Sequence, residues 1–243
     1  MNKYIAIIQT GKPIDTVLNK YADFDALFYN QMQLDASQFK TFNVFETLKF
    51  PEIKSLAGII ITGSPSMVTD KEDWSEKTIE WLKQFIELEI PILGVCYGHQ
   101  MLARALGGEV NWNPNGRQIG TIQMQLTDAA HSDSLLSAVI ENKQNAIKFN
   151  ATHLQSVTLL PKDVILLGST KLDPNHCFRY KNHIWGAQFH PEFNVQIIQE
   201  YLHVRSEKIN DEGLDINQLL INVDDNDNGQ KLLLKFRDLC FNS

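Results

Sequence analysis

The chain has 243 residues, 43% of them hydrophobic and 21% charged, which excludes a disordered chain, a collagen and a coiled coil. Twenty-two Lys and Arg against 29 Asp and Glu give a formal net charge of −7, so nothing draws the chain over long range to nucleic acid or an anionic membrane surface. The three cysteines, Cys96, Cys177 and Cys240, are far apart and odd in number, which argues against a disulfide framework or a structural zinc site and for a reducing, cytoplasmic setting.

In chain order, Tyr4 to Ile8 (YIAII) is a continuous apolar run and predicts a buried strand. The start of the chain is too short and too strand-like for a signal peptide, and no apolar run approaches the length of a membrane span. Phe42 to Phe45 is a weaker strand candidate. Gly58 to Ile61 is a third, ended by the turn Thr62-Gly63-Ser64-Pro65. The segment WSEKTIEWLKQFIELE has helical spacing, with Asp73 or Ser75 as its expected cap. Pro91 to Val95 is a fourth strand, followed at once by a helix in CYGHQMLARALGG that Gly107-Gly108 closes.

After Val110 the texture changes. IGTIQMQL, AIKFNAT, VILLGST, CFRY and HIWGAQF read as strands in close succession, with one short helix at Ser134 to Ile140. NVDDNDNG reads as an exposed loop and Gly229 to Phe241 as a final helix. Asp70 to Asp73 and Asp224 to Asp227 read as solvated faces. The expected fold is α/β: an open, mostly parallel sheet with helices on both faces, plus added antiparallel or mixed strands. No linker divides the chain, so 1–243 is expected to be one domain, with a core over 1–205 and a C-terminal extension over 206–243.

Gly94-Val95-Cys96-Tyr97-Gly98 carries the most chemistry. A Cys between the end of a buried strand and the start of a helix, with Gly two residues before and after, has the strand–turn–helix pattern of a nucleophile elbow. The helix N-terminus favours a thiolate, and the Tyr97 backbone N–H can stabilise an oxyanion beside it. The turn at Gly63-Ser64 can supply a second backbone donor. A thiol nucleophile needs a base, and His190 in Gln188-Phe189-His190-Pro191-Glu192 is the best placed of seven His residues. It follows a strand, where active sites of open α/β sheets gather, and Glu192 returns to its side two residues on.

His99 lies three residues after Cys96 and reads as a packing residue behind the nucleophile. His153 reads equally as an exposed loop residue or as part of the pocket. His131, His176, His183 and His203 default to the surface. No His/Cys/Asp/Glu grouping has metal-ligand spacing in the sequence, so neither metal nor cofactor is expected.

GVCYGHQMLARALGG followed much later by AQFHPEF strongly resembles the class I (triad) glutamine amidotransferases, above all the glutaminase part of GMP synthase and its stand-alone relatives. The resemblance implies a flavodoxin-like core and a triad of Cys96, His190 and Glu192. It implies backbone donors at Gly63, Ser64 and Tyr97, and substrate contacts from Gln100, His153, Leu154 and Gln155. The chain departs from the family at two places. It has Gly63-Ser64-Pro65 where Gly-Gly-Pro is frequent, and His153-Leu154-Gln155 where His-Gly-Asp is frequent.

The expected activity is hydrolysis of the glutamine side-chain amide through a Cys thioester. The ammonia would pass to a separate synthetase subunit, since no GxxxxGK[ST] phosphate loop is present here. The alternative is a stand-alone hydrolase of other γ-glutamyl amides or peptides, which the loss of the acid at Gln155 keeps open. A non-catalytic regulator would have a broken triad, and a Ser-type α/β-hydrolase would need Ser at position 96; the sequence has neither feature.

Overall fold

The computed structural model describes residues 3–141 and 144–242. The chain runs β1 (Tyr4–Gln9), α1 (Asp15–Lys20), α2 (Phe24–Gln31), β2 (Phe39–Asn43), α3 (Val44–Thr47), β3 (Leu56–Ile61), α4 (Asp73–Leu82), β4 (Ile92–Val95) and α5 (Tyr97–Ala105). It continues through β5 (Glu109–Trp112), β6 (Gln118–Leu126), β7 (Ala146–His153), β8 (Gln155–Leu159), β9 (Val164–Ser169), β10 (Cys177–Tyr180) and β11 (Ile184–Ala187). Four helices close it: α6 (Val195–Val204), α7 (Ser206–Asp211), α8 (Ile216–Ile221) and α9 (Asn228–Phe241).

Nine strands form one sheet in the order β2-β1-β3-β4-β11-β10-β9-β6-β7, and β5 pairs with β8 apart from it. Strands β2, β1, β3, β4 and β11 run parallel. From β11 outward every pairing is antiparallel. Continuous apolar runs suit the parallel half because both of its faces are buried. Alternate residues of β1 enter opposite cores. Ile5 and Ile7 pack with Phe28 of α2, Met32 just after it, and Leu232, Leu233 and Phe236 of α9. Tyr4, Ala6 and Ile8 pack with Ile79 and Leu82 of α4 and with Met101 and Leu102 of α5. The α/β expectation therefore holds, and the final helix is an integral part of the core.

Several boundaries differ from the sequence reading. The second strand lies at Phe39–Asn43, and the latter half of the expected Phe42–Phe45 segment is the helical turn α3. Ser134–Ile140 holds only a 3-10 turn at Leu136–Ala138. The buried Asp133 side chain accepts the N–H groups of Leu135 and Leu136 in the manner of a helix cap, but the turn does not extend beyond Ala138. Helix α4 ends at Leu82 and continues as a 3-10 turn over Lys83–Phe85. Neither Asp73 nor Ser75 caps it: Glu72 holds the cap position without a side-chain bond, and Ser75 instead accepts the Tyr97 hydroxyl at 2.8 Å. Asp70 to Asp73 is exposed as expected. Asp224 is only half-exposed and pairs with Lys148 at 2.6 Å.

Candidate active site

The carboxyl ends of the parallel strands converge on one place. The chain passes from β1 out to β2 and back to β3 on the other side of β1, so the direction of winding reverses between β1 and β3. Thr10, the turn after β3, Cys96 after β4 and His190 beyond β11 meet there. Strands β4 and β11 are neighbours, with Val95 opposite Ala187, and the Cys96 N–H donates to the Ala187 carbonyl at 2.8 Å. That register brings Cys96 beside His190 although 94 residues separate them in sequence (190 − 96).

Cys96 is the N-cap of α5 and has φ 52° and ψ −100°. A non-glycine residue there is strained, on the order of 1–3 kcal/mol, and persists only because its surroundings hold it. The surroundings are glycines. A Cβ at Gly94 would lie 2.5 Å from the Gly98 carbonyl oxygen, and one at Gly98 would lie 2.3 Å from the Ile61 carbonyl oxygen. Gly98→Ala is therefore expected to lower stability by about 1–3 kcal/mol, seen as a fall in melting temperature. An unchanged melting temperature would show that the helix can move away from β3 without cost.

His190 Nδ1 donates to Glu192 Oε1 at 2.7 Å, which leaves Nε2 for the thiol. The ring stacks on Phe193 at 4.1 Å, with Phe24 beyond, and its backbone N–H donates to the Asn150 carbonyl. Cys96 is 7% exposed, His190 3% and Glu192 0%. Burial alone would push the imidazole towards neutrality. The Glu192 carboxylate, and Cys96 on the other side, outweigh it and hold His190 up at about 10. The opposite holds for two other buried histidines. Burial pushes His99 down to about 3 and His153 down to about 4.

These shifts set a pH dependence of stability. The contribution of His190 is present in full below its unfolded value, about 6.5, and is lost as pH rises through about 10. His99 and His153 contribute in full above about 6.5, and that is lost as pH falls towards about 4 and then about 3. Denaturant midpoints measured from pH 3 to pH 10 should therefore peak near neutrality and fall on both sides. A flat profile above neutrality would refute the charged His190.

The turn after β3 is fixed by its carbonyl. Gly63 O accepts from Thr10 Oγ1 at 2.9 Å and from Thr62 Oγ1 at 3.0 Å. In a trans peptide the next N–H points the opposite way, so the Ser64 N–H is turned from the threonines. Gly63 itself abuts the site: a Cβ there would stand 2.9 Å from His190 Cε1 and 3.7 Å from Cys96 Cβ. The Tyr97 N–H, first in α5, has no intrahelical acceptor. Its ring is tied away by the Ser75 bond and by stacking on Trp74.

A cleft of about 420 Å³ opens over Cys96 between the Ser64–Met67 turn, Gln100, the Thr152–Gln155 segment and Val204–Lys208. Gln100 Nε2 donates to the Gln155 carbonyl and to Gln188 Oε1. Its own Oε1 has no partner among the described residues. Leu154 borders the cleft, and its carbonyl accepts the Asn113 N–H. The Gln155 side chain bonds Thr69 and so straps the β7–β8 segment to the loop before α4.

The His153 ring is not in the cleft. It points inward, with Nδ1 donating to the Gln155 carbonyl at 2.9 Å and Nε2 facing the Gln118 side-chain amide at 3.0 Å, so only its backbone borders the substrate space. His176, expected on the surface, is fully buried, with Nδ1 3.0 Å from Asp173 Oδ2. His99 is also fully buried, against Phe178 and Gly186. His153, Asp173 and His176 have ligating atoms within 4.8 Å of one another and are the one grouping among the described residues that could hold a metal. The fold assembles it from β7 and the loop before β10, so no spacing in the sequence announces it. His176 Nδ1 is held by Asp173 and His153 Nε2 lies against Gln118, while the buried His176 Nε2 has no hydrogen-bond partner among the described residues.

Cys177 and Cys240 lie in the core, where burial pushes both thiols well up and makes them poor nucleophiles. Sequence reasoning missed Arg205, which stands beside the cleft at the end of α6 and belongs to no motif.

A sequence model of glutamine amidotransferase class-I matches residues 19–203. The chain belongs to the class-I glutamine amidotransferase family. Gamma-glutamyl peptidase 5 of Arabidopsis thaliana is 30% identical over 191 residues, which is 76% of this chain and 74% of the relative. The GMP synthase of Salmonella typhimurium is 31% identical over 138 residues, 56% of this chain but 25% of that enzyme. A solved glutamine amidotransferase from Methylobacillus flagellatus shares the fold, with TM-score 0.76 and 18% identity over 98% of this chain and 94% of the other. Among the described residues no helix is long and apolar enough to cross a membrane.

Proposed function

We propose that the chain cleaves γ-glutamyl amide bonds, glutamine among them, with Cys96 as nucleophile, His190 as proton carrier and Glu192 as the group that orients it. The observation that carries this reading is the strained thiol at the β4–α5 turn beside the His190–Glu192 pair. The Cys96 sulfur attacks the γ-carbonyl carbon, and the developing oxyanion meets the backbone N–H groups of Tyr97 and of the Gly63-Ser64 turn. The C–N bond breaks, His190 hands its proton to the departing nitrogen, and a γ-glutamyl thioester remains. His190 then takes a proton from water, the hydroxide adds to the thioester, and glutamate leaves as the thiol is restored. Gln100, through its open Oε1, and the Leu154–Gln155 backbone border the space for the glutamyl group. His153 serves there through its backbone and by fixing Gln155.

The test is adduct mapping. A glutamine-like electrophile is expected to modify Cys96 and to spare Cys177 and Cys240; modification of either core thiol with Cys96 untouched overturns the proposal. Delivery of ammonia to a separate acceptor enzyme is a second reading, supported by the match of this chain to one quarter of a GMP synthase. Ammonia release from glutamine that rises when a synthetase partner is added would favour it. Faster turnover of γ-glutamyl amines than of glutamine would favour the stand-alone hydrolase.

A further inference from the structure

The cleft over Cys96 has a neighbour. A smaller cavity of about 40 Å³ opens on the His190 side of the sulfur, walled by Ile14, Phe24 and Tyr201 and flanked by Lys12 and Arg205. Arg205 borders both spaces. One of its N–H groups donates to Thr152 Oγ1 at 2.9 Å, and the guanidinium lies 5.2 Å from the Tyr201 ring centroid. A guanidinium carries five N–H donors, and no carboxylate among the described residues forms an ion pair with it. Arg117 shows the contrast, held in two hydrogen bonds by Glu212 at 2.6 and 2.7 Å. Lys12 is exposed and touches Glu46 only loosely, at 3.4 Å.

Glu212, the acid near enough to act on Arg205, is already bound by Arg117, and a half-buried cation left without an ion pair of its own is costly unless a ligand supplies the anion. Its place says which part of a ligand that is. Since His190 is proposed to protonate the departing nitrogen, the amine half of the substrate lies on the His190 side of the sulfur, beside the space that Lys12 and Arg205 flank. Two cations there are wrong for ammonia, which gains a proton to become ammonium, and right for an amine that carries a negative charge. We propose that Arg205, assisted by Lys12, is a carboxylate-binding subsite for the amine half of the substrate, so that the chain acts on γ-glutamyl amino acids or γ-glutamyl peptides. This rests on the γ-glutamyl group sitting over Cys96, as proposed above. The bonds made and broken are those already given; the leaving nitrogen is that of an amino acid or peptide.

The deciding measurement is binding to the full chain carrying Cys96→Ala, which removes chemistry from the result. By calorimetry, γ-glutamylglycine is expected to bind 10- to 100-fold more tightly than γ-glutamylmethylamide, the range for a charge-assisted bidentate pair. In Cys96→Ala with Arg205→Gln the two ligands should bind within about threefold of each other. Arg205→Lys in the same background should keep part of the preference, and it provides a second test if the Gln variant fails to fold. Equal affinities with Arg205 in place overturn the subsite. An equal loss for both ligands on substitution also overturns it, because it assigns Arg205 to the glutamyl half. Failure of the thioester chemistry would appear in the adduct mapping instead and would leave these affinities unmoved.

Discussion

Cys96→Ala is expected to lower glutamine turnover by on the order of 10⁴-fold or more, with little change in melting temperature. The side chain lost is small, and the turn is held by packing around Gly94 and Gly98 rather than by the thiol. Cys96→Ser keeps a nucleophilic atom and is still expected to be inactive. A hydroxyl in that place is a far weaker nucleophile than a thiol paired with imidazole. Cys96→Gly adds a different readout. A residue at φ 52° and ψ −100° is relieved by glycine, so this variant should melt higher than the parent while remaining inactive. Ammonia release and circular dichroism on the three variants decide the matter. Retention of more than about a tenth of parental turnover in Cys96→Ala would remove the thiol from the reaction.

Glu192→Gln should cost nearly as much, on the order of 10²- to 10⁴-fold in kcat. The change is nearly isosteric, so the buried shape survives, but the carboxylate that holds His190 charged is gone. A neutral amide can present its NH₂ group to Nδ1 and turn the imidazole into the wrong tautomer. The imidazolium should then titrate at lower pH, and the loss of stability on the alkaline side should shrink. Kinetics and denaturation across pH separate this role from a packing role, which would lower stability at every pH alike. A variant with parental kcat and an unchanged alkaline limb would show that another group orients His190.

What could be read from the sequence follows from how each feature is encoded. The elbow was legible because the backbone comes so close around Cys96 that only glycine fits at 94 and 98, and glycine is visible in a sequence. His190 and Glu192 were legible because both sit in one extended segment. The parallel strands were legible because burial on both faces leaves unbroken apolar runs. Helices α6 to α8 were not singled out. Helices α7 and α8 are short, and the apolar residues of this region, such as Ile197, Leu202 and Ile209, gain meaning only against Ile119 and Phe193. Strand β2 is half-buried and barely apolar, so its register is set by pairing with β1 rather than by pattern. His176 was expected on the surface and His153 was left open between loop and pocket because their partners, Asp173 and Gln118, are brought to them by tertiary structure. Arg205 left no trace because an arginine after a helix is ordinary until the cleft is built around it.

The pairing of β4 with β11 also sets a time. Val95 and Ala187 are partners 92 residues apart (187 − 95), and α9 must still dock Leu232 and Phe236 behind β1 and β4. On a growing chain the cysteine is made early and its histidine late. Until β11 arrives, β4 is an open edge and Cys96 an ordinary thiol with no base to activate it. The fold thus acts as a clock as well as a scaffold: reactivity switches on only after β11 has been made and the long loop closes.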